Sequence, residues 1–231
     1  SDAFSNVATL QGTAGVVMGG ATITTTTAEA VTKANVTDLN NFTTAKVTVT
    51  SVQDSRSNVS DIAAINNAEV DMGAAAVTIT DAVTLAQANT DVGNLNSLTT
   101  GKVTLNSVED TYDNIQAIKL ISDDDVDMGA AAVKVTSVVD KAKVDDLRTD
   151  TTGDITVDSI SDNKTNLGLV NDFADVSLAA ANISVTDVVT LAQANTIHAY
   201  NTAVGTTVTL SSVSDAFSNV ATLQGTAGVV M

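Results

Sequence analysis

Residues 1–18 and 214–231 are the same eighteen letters, SDAFSNVATLQGTAGVVM. A chain that returns to its opening segment after 213 residues reads as an array, in which each layer rests on its neighbours. Shorter spacings lie inside that period. One series reads VTVTSVQD at 47–54, VTLNSVED at 103–110, ITVDSISD at 155–162 and VTLSSVSD at 208–215. A second lies between its members: ITTT at 23–26, VTIT at 77–80, VKVT at 133–136 and ISVT at 183–186. Seven residues before each of these stands a short apolar element, at Val16–Met18, Val70–Met72, Val126–Met128 and Val176–Leu178. The period of 213 therefore holds four units of about 53 residues, or eight half-units, in one repeat array over 1–231. The identical ends fit a tandem duplication of the whole block. With no initiator Met, the sequence is expected to be a window on a larger polypeptide.

The tetrads alternate apolar and polar, as Val77 and Ile79 do against Thr78 and Thr80, which is the pattern of a half-buried strand. After the longer series comes an Asp with an Asn four residues on: Asp54/Asn58, Asp110/Asn114, Asp162/Asn166 and Asp215/Asn219. The Asp reads as a helix N-cap, and the Asn residues as a ladder satisfying backbone groups. Apolar residues one and four places beyond each Asn continue the helix, and TLAQAN at 84–89 and 190–195, with AEAVTKAN at 28–35, supplies the other set. Strand–helix repeats with short loops require parallel strands and crossovers. The expected fold is an α/β solenoid of parallel strands with short helices; the alternative is a β-solenoid with helical corners.

Composition agrees with thin layers. Hydrophobic residues are 44% of the chain but aromatics only 3%, and Trp, Cys and Pro are absent, so the core is small aliphatic and has no disulfide. Ten basic against 27 acidic residues give a net charge of −17. That excludes a phosphate-binding surface for nucleic acid and an attraction to anionic membranes. The uncharged stretch 3–28 is too rich in Thr, Asn, Gln and Gly for a membrane span.

With its SxSD-xxxN segments, TLAQAN and Ala-rich corners, the chain resembles repeats of very large secreted surface proteins of marine bacteria, especially cyanobacteria. The resemblance implies an adhesin-like or surface-layer-like structural role, at the cell surface or outside the cell. The segment 133–152, VKVTSVVDKAKVDDLRTDTT, departs from it by replacing TLAQAN with charged residues. The expected function is a structural repeat protein, not an enzyme, with no cofactor, self-associating end to end or laterally. The competing expectation is a binding module for ice, calcium or polysaccharide.

Three features bear on that competition. Asp123, Asp124, Asp125 and Asp127 are the densest carboxylate group and the candidate calcium ligands, although no calcium-loop consensus accompanies them and a solvated acidic turn is the favoured reading. His198, the single histidine, has no nucleophile motif beside it and reads as a loop residue. A Thr face is expected to be exposed at Thr48, Thr78, Thr80, Thr104, Thr156 and Thr209, interrupted by Lys134, Ser184, Asn106 and Asp158. Gly12, Gly15, Gly19 and Gly20 form no phosphate loop and read as corners. The triplets NVT at 35–37 and NKT at 163–165 are read as chance rather than glycosylation sites.

Overall fold

The apolar–polar tetrads form strands, and every recorded pairing between strands is parallel. In the computed structural model the residues described are 1–27, 29–65, 69–89, 99–121 and 126–231. They divide into two units, residues 1–107 with 116–128, and residues 108–115 with 129–231. Both are built from parallel strands and short helices, an α/β arrangement.

In the first unit, strands β1 (Ile23–Thr24), β2 (Val47–Thr48) and β4 (Val70–Asp71) form one sheet, with Ile23, Val47 and Val70 in register. A second ladder pairs β3 (Ser51–Asp54) with β5 (Ala76–Val83), placing Val52 beside Val77. Strand β6 (Val103–Asp110) follows, with the short β7 (Val126–Asp127) beside its first residues. Helices Lys33–Phe42 and Arg56–Ala64 each turn one apolar stripe inward: Val36 and Leu39, then Val59 and Ile62, all at most 1% exposed. Burial of each such side chain contributes about 1.5–3 kcal/mol.

The second unit repeats this plan. Its strands β8 (Ala132–Val139), β9 (Ile155–Asp162), β11 (Asn182–Val189), β12 (Val208–Val213) and β13 (Val229–Val230) are neighbours in that order, and β10 (Val176–Ser177) pairs with the start of β9. Register shifts between Val135 and Val138, and between Val185 and Val188, mark a bulge in each of β8 and β11. Apolar rows cross the strands, as Ile160, Ile183 and Val208 do. Helices Lys141–Asp150, Lys164–Asn171 and Leu191–His198 cover them with Val144, Leu147, Leu167, Val170, Ala194 and Ile197.

Two local devices explain where the helices start and stop. Thr84 and Thr190, the first letters of the two TLAQAN stretches, exchange bonds with Gln87 and Gln193 in capping boxes, and Thr32 does the same with Asn35. The helix expected from AEAVTKAN accordingly begins later, at Lys33. At the other end, buried Thr43, Thr99 and Thr151 each donate their hydroxyl to the carbonyl of an alanine corner: Ala21 at 2.7 Å, Ala75 at 2.7 Å and Ala131 at 2.6 Å. The same hydroxyls accept from the amides of Ala45, Gly101 and Gly153. At Ala181 the side-chain amide of Asn201 takes over, donating to the carbonyl at 2.7 Å. Glycine is needed at 101 and 153, because a Cβ there would meet the carbonyl oxygens of Ala75 and Ala131 at 2.4 and 2.3 Å.

Candidate functional site

The most regular polar constellation is built around the recurring Asp and Asn. At five places the Asp Oδ1 accepts from the next residue's amide: Ala3, Ser55, Thr111, Asn163 and Ala216, at 2.7–2.8 Å. It also accepts from the Asn side chain four residues on, at 2.7–2.9 Å. The expectation that these Asp residues are N-caps is corrected. Ser55, Asn163 and Ala216 hold the N-cap position, and Asp54, Asp162 and Asp215 each lie one residue earlier. Asp110 likewise precedes Thr111, whose hydroxyl accepts from the Asn114 amide at the start of helix Tyr112–Lys119.

The physical reason lies in the second carboxylate oxygen. Asp54 Oδ2 accepts from the Lys33 amide at 2.9 Å, Asp162 Oδ2 from the Lys141 amide at 2.9 Å, and Asp215 Oδ2 from the Leu191 amide at 2.8 Å. Each donor is the first residue of the helix in the preceding half-unit. One carboxylate thus closes its own turn and satisfies an orphan amide at the neighbouring helix's positive end.

The helices that follow the Asp–Asn turns are satisfied in the same direction by residues not singled out from the sequence. The Arg56 amide donates to Asp81 at 2.6 Å, Lys164 to Asp187 at 2.8 Å, and Tyr112 to the Ser137 hydroxyl at 3.0 Å. In the first layer the Ser5 amide donates to Glu29 at 3.2 Å. The available signal was the residue after each VTIT-like tetrad: Asp81, Ser137 and Asp187 share that place.

Charge follows the staircase. Burial pushes the Asp54 carboxyl up, but the Asn58 side chain and the Lys33 and Ser55 amides outweigh it and hold the group below its ordinary value. The Leu191 amide, then the Asn219 side chain and the Ala216 amide, hold Asp215 low, and the Lys164 side chain leads the causes at Asp187. Cations tie segments distant in sequence: Lys33 to Asp61 at 2.5 Å, Lys46 to Asp71 at 2.6 Å, Arg148 to Asp175 at 2.8 Å. Arg148 also stacks 3.8 Å over the Phe173 ring, so the charged segment 133–152 is packed against its neighbours.

The remaining candidates disperse. Asp123, Asp124 and Asp125 lie outside the described residues, while Asp127 pairs with Lys102. Among the described residues no three His, Asp or Glu side chains converge to hold a metal ion. His198 sets Nε2 3.1 Å from the Ala227 carbonyl oxygen, a contact to the segment 214–231. Gly15 and Gly228, at the same place in the two copies, turn with φ of 84° and 83°, as corners do. Of the Thr face, Thr80 and Thr209 are exposed but Thr48, Thr78, Thr104 and Thr156 are half-buried, which corrects the expected exposure. Thr48 lies between Thr24 and Asp71, and Thr156 between Lys134 and Ser177, on neighbouring strands about 4.8 Å away; Thr209 is exposed between Ser184 and Val230, so flanking strands alone do not decide the cover.

A surface groove between helices Lys164–Asn171 and Leu191–His198 is lined by Lys164, Thr165, Gln193, Thr196, Ile197 and Tyr200. It holds no acid–base pair. No helix among the described residues is long and apolar enough to cross a membrane. Comparison with protein-family models, with curated proteins and with solved structures finds no match.

Proposed function

We propose that this chain is a non-enzymatic structural repeat, exported from the cell, whose layers continue as an α/β solenoid of four units of about 53 residues per 213-residue period and build an extracellular filament or surface layer. The observation that carries this reading is the staircase of side chains onto helix amides. A helix N-terminus in one half-unit is completed by Asp54, Asp81, Asp162, Asp187 or Asp215 of the next. Such a layer is incomplete alone and complete in a stack, which is the energetic signature of repeat arrays. The polar residues that recur are committed to neighbouring backbone rather than gathered in a cleft, which favours a mechanical role over a chemical one. The net charge of −17 keeps the outer surface hydrated and supports growth along the layer axis rather than unspecific clumping.

Electron microscopy of the purified chain over rising concentration tests the reading, paired with its solution mass. Fibres or sheets with a repeating axial spacing are expected. Isolated 23.4 kDa particles at every concentration would sink it.

A further inference from the structure

The two copies of SDAFSNVATLQGTAGVVM fold alike and are gripped on different faces. Their helices Phe4–Gln11 and Phe217–Gln224 begin from Ala residues at φ −62°, ψ 151° and φ −62°, ψ 149°. In the first copy Val7 and Met18 are buried, at 8% and 7% exposure, while Leu10 is 49% exposed. In the second, Leu223 is 0% exposed, while Phe217 and Met231 stand open at 89% and 49%. No position is buried in both copies. The positions better covered in the first copy include Phe4, Val7, Ala8 and Gln11, one helical stripe; Asn219 and Leu223 lie on another. The cognate residues of interior layers, Val59 with Ile62 and Leu167 with Val170, are covered on both faces at once.

From this we infer that one copy of the segment can fill both sockets simultaneously: its own, and that of a second copy of this chain. Residues 1–18 of one molecule then displace 214–231 of another and join the two head to tail. The inference rests on the layered reading proposed above. The socket is specific. Leu223 enters it fully, Asp215 accepts the Leu191 amide, and the Gly228 carbonyl accepts the Val208 amide at 2.7 Å. Asp2 already makes the turn that Asp215 makes, with Ala3 and Asn6 in place of Ala216 and Asn219, so its second oxygen is set for the same amide. Displacement is favoured over simple stacking because layers alternate. Helices preceded by the Asp–Asn turn alternate with those capped by Thr32, Thr190 or Asp140. Laying copy 1–18 on copy 214–231 would set two layers of one kind together.

A head-to-tail contact of this type is heterologous, so it passes from molecule to molecule in an open chain or a ring. The tethered copy competes at an effective concentration of about millimolar, so the unmodified chain exchanges slowly. Weakening that copy should release the reaction. At concentrations where the unmodified chain is still 23.4 kDa, Leu223→Asp should already form a ladder of multiples in sedimentation or light-scattering measurements. Adding Leu10→Asp should return it to the monomer, because the exposed Leu10 must enter the Leu223 socket; L10D alone should keep the fold and stay at 23.4 kDa at concentrations where the unmodified chain assembles. The free peptide SDAFSNVATLQGTAGVVM should bind the unmodified chain at one per molecule and disperse the L223D ladder, whereas a peptide carrying the L10D change should do neither.

A monomeric L223D chain that keeps its far-UV circular dichroism and captures no peptide overturns the exchange and leaves the layered reading intact. A ladder equally strong in L223D/L10D overturns it too, since the association would then be unspecific. If L223D loses its fold, peptide capture by the unmodified chain decides alone: binding supports the exchange and no binding overturns it.

Discussion

Removing the carboxylate of Asp54 should uncouple two layers, at a cost that can be worked out from its bonds. The side chain is half-buried and accepts from the Ser55 amide at 2.8 Å, the Asn58 side chain at 2.8 Å and the Lys33 amide at 2.9 Å. Three bonds at about 1 kcal/mol net each give roughly 3 kcal/mol, and partial access of water to the orphaned donors brings Asp54→Ala to about 2–3 kcal/mol. For a chain of this size that is a fall of about 5–10 °C in Tm. Asp54→Asn should cost about 1–2 kcal/mol, because one acceptor oxygen survives while the new amide faces a donor. Chemical denaturation gives the totals, and hydrogen exchange at the Lys33 amide reports the interlayer bond directly.

The pH dependence has a defined sign. The Asp54 carboxyl is held below its ordinary value, so the unfolded chain binds the proton more tightly. Its stabilisation is therefore present above about pH 4 and lost as pH falls through the folded value. The D54N chain should show a shallower loss on the acid side. Undiminished Lys33 protection in D54A, or a D54N chain as stable as the parent, would refute the two-oxygen staple.

Three further outcomes follow from other contacts. Thr151→Val keeps the shape of a side chain that is 3% exposed but orphans the Ala131 carbonyl and the Gly153 amide, and should cost about 1–3 kcal/mol in urea denaturation. Ile62→Ala and Leu10→Ala strike the same place in two layers, at 1% and 49% exposure; the first should cost about 2–5 kcal/mol and the second less than about 1 kcal/mol by the same measurement. The Tyr112 phenol, pushed up to about 12 by burial and by its 2.9 Å bond to Asp146, should ionise late in a spectrophotometric titration, and Asp146→Asn should bring it down.

Much of the local structure was legible in the sequence because periodicity needs only neighbours along the chain. The period-two tetrads at 77–80, 133–136 and 183–186 are strands, and the apolar spacing after Asn58, Asn114 and Asn166 is the buried stripe of a helix. The recurrence of Asp and Asn was visible as well, yet the role assigned to Asp was displaced by one residue. Sequence offers two equivalent oxygens; only the approach of the Lys33, Lys141 and Leu191 amides, 21–24 residues earlier, shows that one of them serves another layer. Thr43, Thr99 and Thr151 carry no mark in the sequence of their role as buried linkers, because the alanine carbonyls they bind lie 20–24 residues away.

Tertiary structure alone decided what each face of a repeated segment does. The eighteen residues at either end carry the same side chains, caps and helix, since those depend on local sequence. Whether Leu10 or Leu223 is covered depends on which segment lies against it, and burial is a property of the two packed segments rather than of either one.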